Sequence, residues 1–296
     1  MNGIINIYKE AGYTSFDVVA KMRGILKERK IGHTGTLDPD ATGVLPVCLG
    51  NGTKLVELFT DHEKEYIAEF RLGLSTDTQD MSGEVLKTSP IEVSKEQIKE
   101  VVASFVGECM QIPPMYSAVK VNGKKLYELA RAGKEVKREA RKVFFKEIEI
   151  LSIDIPLVKI RVVCSKGTYI RTLCNDIGEK LGCFAAMQSL TRTRVGDFTL
   201  EEAVTLEKLE QYRDEGRLNQ IIISPDRVFM HMPAVYSKPE NCKYLDNGNA
   251  MYPHMLDKPP YFKDGTEVRM YGNGKFYGIY QYVAEKNRLK PLKMFL

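Results

Sequence analysis

The sequence predicts an α+β fold, with a mixed, largely antiparallel sheet flanked by helices and a small β-rich domain at the C-terminal end. Three observations carry this. Residues 66–72 alternate cleanly, with Tyr66, Ala68, Phe70 and Leu72 on one face and Ile67, Glu69 and Arg71 on the other, as a half-buried strand requires. Helical and extended stretches then follow one another without the regular strand–helix–strand alternation of a parallel sheet. Near Ser224-Pro225-Asp226 the texture changes, and Pro233, Pro239, Pro253, Pro259 and Pro260 interrupt the chain. The boundary therefore falls between a domain over 1–224 and one over 225–296.

Each element follows from its own pattern. Ser15 reads as the N-cap of a first helix, in which Val18, Val19, Met22, Ile25 and Leu26 recur at helical spacing. Residues 30–54 hold Gly32, Gly35, Gly43, Gly50 and Gly52 with Pro39 and Pro46, so they read as a structured loop with one buried apolar piece, Val44–Leu49. A helix over about Ser94–Phe105 places Ile98, Val101, Val102 and Phe105 on one stripe. Strands over about Val143–Ile153 and Val158–Cys164 flank the turn Asp154-Ile155-Pro156. Beyond Ser165-Lys166-Gly167, Ile170, Leu173, Ile177 and Leu181 mark a second helix that Gly182 ends. In the C-terminal part, Val268–Tyr271 and Phe276–Val283 form a hairpin around Gly272-Asn273-Gly274, whose Asn-Gly pair suits the positive φ angles of a tight turn.

Composition narrows the function classes. In 296 residues, 43% are hydrophobic and 28% charged, the balance of a globular chain. Lys and Arg total 43 against 39 acids, a net charge of +4, so a polyanion must be met by local clusters of charge. No apolar run approaches the ~18 residues of a membrane helix, and no export signal is evident, which points to a cytoplasmic protein. The six cysteines form no C-x-x-C pair, so disulfides, a zinc site and a redox motif are not expected.

Four segments could carry chemistry. Gly32 to Pro46 is a glycine-rich loop that can bring backbone close to a ligand, although Asp38 and Asp40 could merely bond their own turn. Asp38 precedes Pro39 and is thereby pushed toward an extended conformation that can aim its carboxylate outward. Gly50-Asn51-Gly52-Thr53-Lys54 lacks the order of a phosphate-binding loop, and Asp77, Asp80 and Glu84 lack the spacing of a calcium loop. Residues 120–142 interleave Lys120, Lys124, Lys125, Lys137, Arg138 and further cations with Tyr127, a mixture suited to a phosphate backbone with stackable bases or simply to a solvated face. Ser165 to Arg171 joins a strand to a helix start, where Arg171 could offer a guanidinium fork to a carboxylate.

Taken together and in order, these segments resemble the TruB family of tRNA pseudouridine-55 synthases. Gly32–Thr53 is similar to the signature holding the catalytic aspartate, and Lys64-Glu65-Tyr66 to the base-stacking tyrosine motif. Gln111-Ile112-Pro113-Pro114-Met115-Tyr116-Ser117-Ala118 resembles the run opening an RNA-gripping insertion (about 111–142). Lys166 to Arg171 resembles the arginine motif, and Leu292-Lys293-Met294-Phe295 the C-terminus. The resemblance implies a pseudouridine-synthase catalytic domain, a PUA-like or reduced C-terminal domain that binds RNA, no cofactor and no metal. It implies Asp38, Arg171 and Tyr66 as catalytic residues and His33, Lys64, Tyr169, Lys124, Lys125, Lys137 and Arg138 as substrate-binding ones. Gly32, Thr36, Leu37 and Asp80 would support them. The implied substrate is the T-stem-loop of tRNA, with its uridine flipped out at a cost of a few kcal/mol, and the implied form is a monomer with no protein partner. Two rivals stand beside this: a pseudouridine synthase for another RNA, and an RNA-binding or tRNA-folding chaperone. The chaperone would need the basic surface without an Asp38–Arg171 pair.

Overall fold

The computed structural model describes residues 1–121 and 123–296. It opens on β1 (Gly3–Lys9), with Ile4, Ile5 and Ile7 fully buried. Helix α1 (Ser15–Leu26) is capped by Thr14 and not by Ser15. The Thr14 hydroxyl accepts the Asp17 N–H (3.1 Å) while the Asp17 carboxylate accepts the Thr14 N–H (2.9 Å), a reciprocal box that Ser15 cannot make. Ser15 is free to turn its hydroxyl to another loop.

Residues 30–54, expected as a structured loop, contain β2 (Ile31–His33), β3 (Thr42–Leu49) and a 3-10 turn before α2 (Val56–Thr60). Strand β3 is buried on both faces, so it shows no alternation, and its breakers fall where they do no harm. Gly43 and Gly50 stand near its ends, and Pro46 accepts the Thr34 N–H through its carbonyl (3.2 Å). Then come β4 (Lys64–Leu72), with the expected alternating burial, the small hairpin β5 (Leu74–Thr76) and β6 (Val85–Thr88), and α3 (Lys95–Ala103), which Ser94 caps. Strand β7 (Gly107–Gln111) leads into the basic insertion, which holds β8 (Lys120–Val121), β9 (Lys124–Lys125) and α4 (Leu126–Arg131). Asn122 lies outside the described residues.

The long hairpin β10 (Arg141–Asp154) and β11 (Leu157–Cys164) follows the expected bounds closely. Helix α5 (Ile170–Leu181) ends at Gly182 in the left-handed region, and β12 (Ala185–Val195), β13 (Phe198–Thr199) and α6 (Leu206–Asp214) complete this part. The strands form a nine-stranded sheet in the order β1-β3-β12-β4-β11-β10-β7, with β2 on β3 and β13 on β12. Every pairing is antiparallel except β12 with β3. On one side, α3 and α5 pack Ile98, Val102, Ile170, Leu173 and Ile177 onto Ala68, Phe70 and Ile160. At the other end, α1 and α6 close over Ile5, Ile7, Leu45 and Val47. Burying such side chains stabilises by about 1.5–3 kcal/mol each, which makes the sheet the rigid platform.

Beyond residue 225 lie β14 (Ala234–Ser237), α7 (Cys242–Asp246), β15 (Leu256–Asp257), β16 (Glu267–Gly272), β17 (Lys275–Val283) and β18 (Arg288–Met294). They form a five-stranded sheet in the order β15-β14-β16-β17-β18. Its β16–β17 turn has Asn273 at φ 49° and Gly274 at φ 72°, as the Asn-Gly pair predicts. The two sheets share a cluster in which Ile4, Cys48 and Phe59 meet Phe229, Ile279 and Phe295.

Candidate active site

The loop after β2 carries Asp38 to the helix side of the sheet and returns through β3. Its re-entry depends on Gly43, at φ 107°, where an added Cβ would lie 2.2 Å from the Arg192 carbonyl oxygen. Ser15, released from capping, fixes the residue before the aspartate: the Leu37 N–H donates to Ser15 Oγ (2.9 Å), while Leu37 itself is buried in the main core. Beyond the aspartate, Lys9 Nζ donates to the Pro39 carbonyl (2.8 Å) and to the Glu10 and Tyr13 carbonyls (3.0 and 2.5 Å). Burial holds the Lys9 amine down to about 8, against the opposing pull of Asp38 and Asp40.

Arg171 reaches the same loop from the first turn of α5. Its Nη2 donates to Asp38 Oδ1 (2.8 Å) and to the Tyr116 carbonyl (2.9 Å), and its Nη1 stands 3.6 Å from Asp80 Oδ2. The guanidinium is thus no bidentate fork on one carboxylate, because the insertion and a second aspartate each claim part of it. Asp80 is held in turn by the Thr78 and Ser82 hydroxyls on its other oxygen. Arg171 is 7% exposed and Asp38 34%, so the guanidinium is buried while the carboxylate is partly open to solvent. Burial pushes the Asp38 carboxyl above the usual aspartate range, Arg171 pulls it down, and Asp80 adds to the rise.

Tyr66 lies on the buried face of β4 and is 8% exposed. Burial raises its phenol, and the nearby Arg192 opposes that rise. Lys64, two residues earlier on the same face, donates to the Thr60 and His62 carbonyls (2.7 Å each), and burial lowers its amine to about 8. His33 is half-buried with Nδ1 unpartnered, and burial lowers its pKa. Tyr169 is clamped to the root of the insertion: its N–H donates to Gln111 Oε1 (2.8 Å) and Gln111 Nε2 donates to its carbonyl (3.0 Å). Among the described residues no group of three His, Cys, Asp or Glu side chains converges as a metal site would require.

The match to known families is now decisive. A profile for the TruB family pseudouridylate synthase N-terminal domain matches residues 23–170, and one for the tRNA pseudouridylate synthase B C-terminal domain matches residues 171–229. The chain belongs to the TruB family. It is 51% identical to tRNA pseudouridine synthase B of Lachnoclostridium phytofermentans, with both chains covered completely, and 44% identical to that of Clostridioides difficile, again over all of both. In three dimensions it resembles a chain in a Cbf5-Nop10-Gar1 complex (TM-score 0.70, 30% identity, 99% of this chain and 85% of that one). A chain in an H/ACA RNP bound to a substrate RNA containing 2'-deoxyuridine is similar to the same degree (TM-score 0.70, 26% identity, 99% and 85% covered).

Within this TruB-family chain, Arg171 joins Asp38 and Asp80, and Tyr66 lies within the field of Asp38. Thr36 and Leu37 stand on the loop that carries the aspartate, Gly32 belongs to β2, and Lys64 turns its amine to the Thr60 and His62 carbonyls. The basic insertion is placed differently. Lys124 and Lys137 are exposed, and Lys125 lies over the Tyr127 ring. Arg138 is folded back on the Pro113 carbonyl (3.3 Å) and Glu135 (3.3 Å), bracing the root of the insertion instead of projecting. The parts that Lys9, Ser15, Gln111 and Arg192 play around Asp38 and Tyr169 have no signal in the sequence. Each holds a backbone carbonyl or amide distant along the chain, and such pairings leave no local pattern to read.

Proposed function

We propose that the protein is a tRNA pseudouridine synthase that isomerises the T-loop uridine at position 55. The uridine is flipped into the cleft, its C1′–N1 bond is broken, the uracil turns, and a C1′–C5 bond forms, the hydrogen of C5 ending on N1. The observation that carries this reading is the Arg171–Asp38 ion pair, with a buried tyrosine on β4 within the field of the carboxylate. An RNA chaperone has no use for a carboxylate held in this way, because binding RNA phosphates calls for cations.

In this reading Asp38 is the ionised group that acts at the reacting sugar, as nucleophile or base, and Arg171 and Asp80 fix its rotamer. Tyr66 stacks on the target base, Tyr169 packs beneath it, Lys64 lies beside it, and His33 fills space left by the extruded nucleotide. The insertion and the domain over 225–296 grip the T-stem-loop through phosphate and shape contacts, which offset the flipping cost. The protein works as a cytoplasmic monomer without a protein partner, cofactor or metal. Among the described residues no helix is long and apolar enough to cross a membrane. The test is to incubate purified protein with an unmodified tRNA transcript and no added cofactor, then map pseudouridine. Modification confined to position 55 is the expected result, and an unmodified transcript would refute the proposal.

A further inference from the structure

Strands β4 and β12 set two cations behind Tyr66. Arg192 is 1% exposed and pairs directly opposite Tyr66 in the β4–β12 ladder, where facing side chains start about 5 Å apart. Its Nε donates to the Val44 carbonyl (2.8 Å), Nη2 to Gly35 (3.2 Å) and Nη1 to Thr36 (3.5 Å), so the fork grips both ends of the loop that bears Asp38. Lys64, 7% exposed, comes to the same point: a Cβ on Gly35 would lie 3.6 Å from Arg192 Nη1 and 4.0 Å from Lys64 Cε.

Among the described residues no carboxylate stands within ion-pairing distance of either cation, while Asp38 and Asp80, both partly exposed, are committed to Arg171. Burying a cation against carbonyls alone is costly, since dipoles replace only part of what water or a counter-charge supplies. Neither Arg192 nor Lys64 has a side-chain anion as its own partner among the described residues.

We propose that Arg192 and Lys64 form a preorganised cationic wall behind Tyr66 that stabilises the negative charge appearing on the uracil ring as its glycosidic bond breaks. This rests on the isomerase reading above. When C1′–N1 breaks, the electron pair stays on uracil, which becomes a monoanion until C5 attacks C1′, and the hydrogen of C5 then moves to N1. No atom or electron is gained or lost overall. A fixed positive charge behind the base lowers that barrier without reorganising during the reaction. Arg192 acts through Tyr66 and through the loop it grips, and is therefore a positioning residue.

The experiment compares single-turnover rates of wild type, Arg192→Met, Arg192→Lys and Lys64→Met on two transcripts. One carries uridine at the target and the other 5-fluorouridine, whose fluorine stabilises the uracil anion by itself. Loss of the intact nucleoside is read in both cases, with tRNA affinity measured alongside. Arg192→Met is expected to lose about 100-fold on uridine but only about tenfold on 5-fluorouridine, with affinity nearly unchanged and Arg192→Lys partly restoring the rate. Should Arg192→Met fail to fold, Lys64→Met carries the same test, because Lys64 makes its hydrogen bonds to the Thr60 and His62 carbonyls and none to the loop of Asp38. Equal losses on both transcripts by a folded variant, or no loss at all, would overturn the inference while leaving the isomerase reading intact. A wild-type protein that modifies neither transcript would remove both.

Discussion

The loop over 33–43 and the insertion over 111–142 both leave the same sheet, and they are built on opposite principles. The first is seized along its length: Arg192 holds the Gly35 and Thr36 carbonyls, Ser15 the Leu37 amide, Lys9 the Pro39 carbonyl, and Arg171 the Asp38 carboxylate. The second is fastened at its root, through Gln111 to Tyr169 and Arg138 to Pro113, and carries Lys124 and Lys137 outward in water. Chemistry needs a carboxylate placed in advance, and gripping an RNA of variable sequence needs charge that can adapt. Removing a group from the first region should therefore change rate, and removing one from the second should change affinity.

The largest effect expected is at Asp38. Asp38→Asn keeps the shape but not the charge, and should reduce pseudouridine formation below detection while tRNA affinity, set by phosphate contacts elsewhere, stays within about threefold. Formation of product by that variant would break the division between the regions.

Next comes Arg171→Lys, for which a rate loss of about 100-fold is expected because a point charge replaces a guanidinium shared among three oxygens. The pH profile sharpens this. Asp38 acts when ionised and its folded pKa is already raised by burial, so activity falls as pH drops through that raised value. Weakening the opposing cation raises it further, and the acid limb of the variant should move to higher pH; a limb that stays in place would sink the ion-pair account.

Neutralising Lys124, Lys125 and Lys137 together should weaken tRNA binding roughly tenfold, with the bound rate unchanged. The salt dependence should flatten as well, by close to one unit of slope for every phosphate these lysines no longer neutralise. Arg138→Gln alone should leave the salt slope in place, since its guanidinium is occupied at the root. A slope that drops as much as for an exposed lysine would show Arg138 to be bound to phosphate after all.

The smallest effect concerns stability and touches neither region. Burial raises the Asp176 carboxyl on α5 to about 6, so the folded chain binds a proton there more tightly than the unfolded one. The charged form is disfavoured in the fold, and stability falls as pH rises from about 4 to about 6. Asp176→Asn should gain roughly 1 kcal/mol above pH 6, allowing for solvent screening, and nothing below pH 4. A thermal melt series across pH reads this directly.

Some of this is legible in the chain alone. The alternation of 66–72 places Tyr66 on the buried face because a strand has period two, and the stripe after Ile170 orients α5 because a helix has period 3.6. The loop over 30–54 misleads because its breaker residues conceal a strand, β3, that is buried on both faces and needs no alternation. The hairpin around Asn273-Gly274 is legible, while β14, β15 and β18 are not, because short strands of a small sheet take their identity from their partners.

By itself, then, the chain determined its periodic elements, its tight turns, and the segments whose residue types suit RNA chemistry, since each depends on neighbours a few positions apart. Only the tertiary structure decided that Asp38 meets Arg171 across 133 positions, that Asp80 shares the guanidinium, and that Lys9, Lys64 and Arg192 lie buried with carbonyls as their partners. Electrostatic interaction depends on distance and burial in space, and neither is encoded in the spacing of residues along a chain.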